Sequence, residues 1–184
     1  MPGLRIVYPL VASDRASVEA DAPAWYPVES LETASARIWI EGRIYRGRPE
    51  LVNRVESIGS GGVDDSAFAA QLRACVESGD GDFVVACLDR SDGRLGVAGD
   101  RFGRLPVYYH ASESRVVVAR DQGFVLAHVD VPVIDHTALA QALLFGFPLR
   151  SRTLIAGAHR LLPGEVLVVS PRGSRVVPAP ASPF

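Results

Sequence analysis

The sequence predicts an α+β fold in which two antiparallel sheets carry helices on their outer faces. Three observations point there. Strand-like runs follow closely at 82–89, 94–99, 106–110 and 115–119, with short polar turns between them and no crossover helices. Helical patterns flank that block, one opening at Asp64-Asp65-Ser66 and one at Asp135. With 184 residues, the chain can bury roughly 70% of its unfolded surface, enough for one core of two or four layers and too little for two large domains.

The elements follow in order. Residues 4–11 are apolar and partly β-branched, as a buried strand requires. Residues 13–35 are polar and rich in Ala, Pro, Ser and Glu, and predict an irregular crossing segment. Residues 36–40 alternate polar and apolar, which suits a half-buried strand, and Gly42 is expected to turn the chain into Arg43, Ile44 and Tyr45. Residues 58–62 form a glycine-rich flexible loop. After the cap, Phe68, Leu72, Cys75 and Val76 make one apolar helical stripe that Gly79 ends. The four central strands come next, turning at Ser91-Asp92-Gly93, Arg101-Phe102-Gly103 and residues 111–114, all expected to be hairpins. A short helix over 121–128 is followed by the helix capped by Asp135, with Leu139, Leu143 and Leu144 on one face and Gly146 near its end. Leu162-Pro163-Gly164 turns into a strand over 166–170. The expected domain covers 1–172, and 173–184 read as a Pro-rich tail or the start of a linker.

Composition excludes several chemistries. All 19 basic residues are arginine, so the chain alone cannot supply the lysine of a phosphate-binding P-loop or of a pyridoxal Schiff base. Net charge is −2 and the arginines are dispersed among acids, which argues against nucleic acid as a partner. Residues 4–12 are too short and interrupted for a signal peptide, and no apolar run approaches bilayer length, so a cytoplasmic location is expected. Cys75 and Cys87 fall in apolar helix and strand positions and are expected to be buried thiols. The histidines His110, His128, His136 and His159 are scattered without ligand spacing, so no metal site is expected. Trp25, Tyr26 and Trp39 belong to the core or to a partner face.

Four motifs, in order over residues 36–170, resemble one family. The central one is Asp100-Arg101-Phe102-Gly103-Arg104-Leu105-Pro106-Val107-Tyr108-Tyr109, similar to R-D-R-F/L-G-x-R/K-P-L-Y-Y after its first residue. Before it, Glu41-Gly42-Arg43-Ile44-Tyr45-Arg46 occupies the place of N-G-E-I-Y-N. After it come Asp135, Ala138, Leu139, Phe145 and Gly146, then Arg152-Thr153-Leu154 and Leu162-Pro163-Gly164. The chain thus resembles the glutaminase domain of asparagine synthetases, a class II glutamine amidotransferase of the N-terminal-nucleophile hydrolases. The resemblance implies an α/β/β/α four-layer sandwich, with Asp100, Arg101, Gly103, Pro106, Tyr108 and Tyr109 as its framework motif.

The departures from the family bear on function. Family members attack the amide with a cysteine freed at the amino terminus, whose own amine takes the proton. Pro2 stands at that position, and no cysteine precedes Cys75. The family's oxyanion-hole asparagine is replaced by Glu41. This removes a donor worth about 3–4 kcal/mol in the transition state and puts a carboxylate where negative charge would develop. Arg43 reverses the charge of the family's glutamate. The R-G-P-D arginine has no counterpart in 13–35. Asp65 can stand for the family's S-D-T-E aspartate or simply cap a helix. The run 57–65 superficially resembles the S-G-G-x-D-S loop of the synthetase half, but an ordinary loop is expected.

These losses imply a pseudo-glutaminase: no catalytic residue, and a degenerate ligand pocket from Glu41, Gly42, Arg43 and Asp65. Relatives such as β-lactam synthetases and lasso-peptide cyclases keep such a domain as a scaffold on an adenylating domain. The expected partner is therefore an adenylating synthetase-like domain or subunit, with self-association as a further option. ATP and magnesium are expected only in that partner, and neither nucleic acid nor membrane is expected to bind. A stand-alone binder of small molecules or peptides in the relined cleft is the alternative, and an active glutaminase ranks below both.

Overall fold

The computed structural model describes residues 3–10, 17–20, 27–58 and 63–180. Readings that fall on Pro2, on Trp25 and Tyr26, on the glycines of 59–62 and on the last four residues lie outside that set.

Eleven strands and four helices appear among the described residues, and every sheet pairing is antiparallel. The strands are β1 (Leu4–Pro9), β2 (Ser17–Ala20), β3 (Val28–Glu32), β4 (Ala36–Arg46), β5 (Asp80–Asp89), β6 (Leu95–Gly99), β7 (Val107–Ala111), β8 (Arg115–Ala119), β9 (Ala158–Leu161), β10 (Val166–Ser170) and β11 (Gly173–Val177). The helices are α1 (Arg48–Glu56), α2 (Asp65–Glu77), α3 (Gln122–Leu126) and α4 (His136–Phe145). One sheet has the order β2-β1-β8-β7-β9, the other β11-β10-β6-β5-β4-β3.

Strand alternation sorts the apolar side chains into three layers. Ile38, Ile40, Val85, Cys87 and Val168 face outward from the six-stranded sheet onto Leu51, Val55, Phe68 and Leu72 of α1 and α2. Trp39, Val84, Val97 and Leu167 face the other way and meet Ile6, Val107, Val116 and Val118 of the five-stranded sheet. That sheet's outer face packs Val117, Ala119 and Ala158 against Val125 of α3. The four-layer α/β/β/α sandwich is therefore present.

Several elements differ from the sequence reading. Residues 13–35 contain two strands, β2 and β3. β3 is an edge strand with mostly exposed side chains, so it lacks an apolar run. Gly42 does not turn the chain. β4 runs straight through it, with φ +116° and the β5 backbone so close that a Cβ would lie 2.1 Å from the Asp82 carbonyl oxygen. α1 went unread although Pro49 opens it and Leu51 and Val55 bury one stripe. Asp64, not Asp65, caps α2, accepting from Ala67 N at 2.8 Å. β11 pairs with β10 and carries the sheet past residue 172, where the tail was expected to begin.

The 101–103 turn is not a hairpin. β6 and β7 belong to different sheets, so this connection carries the chain across the sandwich. The Leu162-Pro163-Gly164 turn crosses back, from β9 to β10. The two crossings touch: Gly103 has φ +61°, and a Cβ there would meet Pro163 Cγ at 2.9 Å.

Candidate functional site

Strand parity places the Glu41 side chain. Trp39 faces the inter-sheet layer, so Glu41 does too, at the border of that apolar core. Its carboxylate is fully buried. A buried charge needs partners, and both come from the facing sheet. Arg120, just beyond β8, places Nη1 2.6 Å from Glu41 Oε1. The backbone N–H of Leu4, at the start of β1, donates to Oε2 at 2.8 Å. Arg120 was not among the residues singled out from sequence. The one signal was a glutamate at an inward position of an apolar strand, which demands a buried cation without naming it.

Gly42 contributes backbone alone, and its N–H donates to Pro27 O at 2.9 Å in the β3–β4 ladder. Arg43 is exposed. A hollow of about 300 Å³ lies beside them, lined by Pro27, Gly42, Arg43, Ile44, Tyr45 and Arg48 among others. Glu41 does not line it. Tyr45 Oη donates to Asp82 at 2.9 Å, and Arg48 is ion-paired with Glu29.

Asp65 does not join this group. The ladder puts Glu41 beside Val84 and Val84 beside Gly99, at the end of β6. Asp65 pairs with Arg94, just before β6 begins, at 3.4 Å, and with Arg175 at 3.8 Å. It lines a different hollow, of about 390 Å³, with Asp92, Arg94 and Arg172. The four residues expected to share one pocket thus occupy two ends of the sheet.

The framework motif builds the crossing between the sheets. Asp100 is buried. Its Oδ1 accepts from Phe102 N and its Oδ2 from Arg104 N, both at 2.9 Å. One carboxylate thereby organises the whole turn. Arg101 is exposed and lines a hollow of about 330 Å³ with Arg46, Phe102 and Arg104. Pro106 leads into β7, where Tyr108 faces the outer layer and Tyr109 the inner one. Tyr109 lies against His159, ring centroids 5.4 Å apart. Burial, with Glu165 nearby, raises the Tyr109 hydroxyl above its ordinary pKa, and burial lowers that of His159.

Neither cysteine reaches the Glu41 region. Cys75 and Cys87 are free, buried and packed in the layer between α2 and the six-stranded sheet, on the opposite face from Glu41. Burial pushes their thiols up to about 11 and about 12. Among the described residues, no group of three or more His, Cys, Asp or Glu side chains is placed to hold a metal ion. No helix among them is long and apolar enough to cross a membrane.

Residues 64–178, well over half of the chain, match the glutamine amidotransferase domain family. The chain belongs to this family. The matched stretch of the glutamine amidotransferase domain includes Asp65 and the whole crossing motif, and begins after Glu41, Gly42 and Arg43. Three solved structures are similar in backbone. One is described as the allosteric regulatory enzyme of purine biosynthesis, with 13% identity, TM-score 0.41, and coverage of 82% of this chain and 30% of that one. The second is the glutamine phosphoribosylpyrophosphate amidotransferase from B. subtilis, with 14% identity, TM-score 0.43, and coverage of 91% and 35%. The third is a glutamine aminotransferase class-II domain protein from Silicibacter pomeroyi, with 14% identity, TM-score 0.43, and coverage of 96% and 92%. This glutamine amidotransferase domain thus spans about a third of the length of the first two. No curated protein matches it.

Proposed function

We propose that this glutamine amidotransferase domain is non-catalytic and serves as a scaffold or partner subunit of an ATP-dependent, asparagine-synthetase-like amide ligase or cyclase. The observation that carries this reading is the Glu41–Arg120 pair. Hydrolysis of glutamine needs donors aimed at a developing oxyanion. At the position that resembles the family's asparagine, the chain holds a carboxylate instead, closed off by Arg120 and Leu4 N–H. The neighbouring N–H, that of Gly42, is already spent on Pro27 O. The two thiols lie in another layer, and burial keeps both protonated near neutral pH. A framework kept in order around a position where a buried carboxylate replaces the family's asparagine fits a structural role. ATP and magnesium belong, on this reading, to the adenylating partner.

Two measurements test it. Incubation with glutamine should release no ammonia above buffer, and a glutamine-analogue inhibitor should leave the protein mass unchanged. Co-expression with an adenylating, asparagine-synthetase-like protein of the same source should yield a complex that survives gel filtration. Ammonia release at enzymatic rates, or two proteins that elute apart, would remove the proposal.

The hollow beside Gly42 and Arg43 favours a second reading, as a stand-alone binder of an amino-acid-like or peptide ligand. Arg43 would attract a carboxylate there. A thermal-shift screen of amino acids and short peptides tests this, and a screen without a stabilising compound eliminates it.

A further inference from the structure

We propose that α4 and the segments flanking it form a two-fold interface with a second copy of this chain. The proposal does not rest on the scaffold reading, and either can fail without the other.

α4 is well defined at both ends. Asp135 accepts from Ala138 N at 3.0 Å, and Gly146 closes the helix in the left-handed conformation. Arg152 pairs with Asp135 at 2.6 Å, and Leu149 N donates to Gln141 Oε1 at 3.0 Å, so the flanks are tied to the helix. Yet only Ala138 of α4 is buried, with Gln141 and Ala142 half-buried beside it. At roughly 100° per residue the opposite side of the helix carries Leu139, Ala140, Leu143 and Leu144. Leu143 is 80% and Leu144 76% exposed. Phe147, Val131, Val133 and Ile134, in the segments flanking the helix, are also more than half exposed, while Phe145 projects on the Ala138 side. Scattered apolar residues on a surface need no explanation, but a contiguous patch of this size does. A helix whose solvent side is mostly apolar, with only His136 and Thr137 polar there, departs from the usual surface helix, whose outward side is polar.

A second copy fits what covers it. The exposed fractions of Leu139, Leu143, Leu144, Phe147, Val131, Val133 and Ile134 correspond to an apolar area on the order of 750 Å², close to the roughly 800 Å² per partner of a standard interface. From Val131 to Leu149 the only Asp, Glu or Arg is Asp135, and Arg152 already neutralises it. Two identical faces can therefore meet without opposing like charges. Ala140 lies among Leu139, Leu143 and Leu144, leaving a hollow that a leucine of the other copy can fill as the ridges interlock. Because the surface is already ordered by its caps, association orders little more.

Sedimentation of the full chain should give twice its 19.7 kDa, with a melting temperature that rises with protein concentration. The double variant L143D/L144D should sediment as a monomer with an unchanged far-UV circular dichroism spectrum, since both side chains face solvent in the single chain. Ala140→Cys should form an intermolecular disulfide under mild oxidation, while the buried Cys75 and Cys87 stay unreacted. A full chain that remains monomeric at millimolar concentration would overturn the proposal. So would a dimer that survives L143D/L144D, or an Ala140→Cys chain that never cross-links. A chain that is monomeric alone but binds an adenylating protein in an L143D/L144D-sensitive way would assign the face to that partner instead.

Discussion

Arg120 and Glu41 belong to opposite sheets, and the 2.6 Å contact between them ties the two together at the border of the inter-sheet core. A buried pair of this kind adds less stability than its distance implies, because both ions lose water. Removing one partner is costly, since the other is left charged and dry. Glu41→Ala takes the buried carboxylate away from Arg120 and leaves the Leu4 N–H without its acceptor, so a loss on the order of 3 kcal/mol is expected. Urea unfolding measures it, and a change below about 1 kcal/mol would mean that water replaces the carboxylate.

Glu41→Asn installs the residue of the family motif. It should not create glutaminase activity, because Gly42 N–H remains bonded to Pro27 O and both thiols remain on the far face of the sheet. Ammonia release by this variant would show that the carboxylate alone suppresses catalysis.

Gly42→Ala meets two obstacles. The φ of +116° is foreign to an L side chain, and the new Cβ would sit on the Asp82 carbonyl. Backbone strain alone costs about 1–3 kcal/mol. Thermal melting should show Gly42→Ala melting well below the wild type, and an unchanged midpoint would mean that β4 shifts away from Asp82 without cost.

Stability should fall at alkaline pH. The thiols of Cys75 and Cys87 ionise near 9 when unfolded, and burial raises them to about 11 and about 12 in the fold. Their contribution is whole below about pH 9. Above it the unfolded chain releases protons that the native state keeps, and the contribution is lost as pH climbs toward 12. Burial raises Tyr8 and Tyr109 in the same direction. Denaturant midpoints for the wild type and Cys87→Ser should converge as pH rises from about 8 to about 11.

Asp100→Ala should remove the acceptor of two backbone N–H groups, on Phe102 and Arg104. Each orphaned donor costs about 1–3 kcal/mol where it is shielded from water. Amide exchange at these two positions should accelerate well before the sheets exchange. Unchanged protection would mean that the turn holds itself without the carboxylate.

Periodicity revealed the long elements because burial wrote it there. Phe68, Leu72, Cys75 and Val76 mark α2, and the apolar runs of β5 and β10 are buried on both faces. It failed where burial is slight. β3 is a polar edge strand, and α1 is short, with few apolar positions beyond Leu51 and Val55. Turn spacing could not separate a hairpin from a crossing, because Arg101-Phe102-Gly103 looks like either until Asp100 is seen to fold it between sheets. The candidate site was half legible. Glu41 and Gly42 stood out as departures from a motif, but Arg120 is one arginine among 19 and only the tertiary fold selects it. Asp65 was misplaced because a motif position carries no register.

Gly103 and Pro163 lie far apart in the chain and abut where the sandwich is stitched together. Neither can drift alone in evolution. A bulkier residue at 103 demands a smaller neighbour at 163, so among descendants of this sequence the two sites should change as a couple.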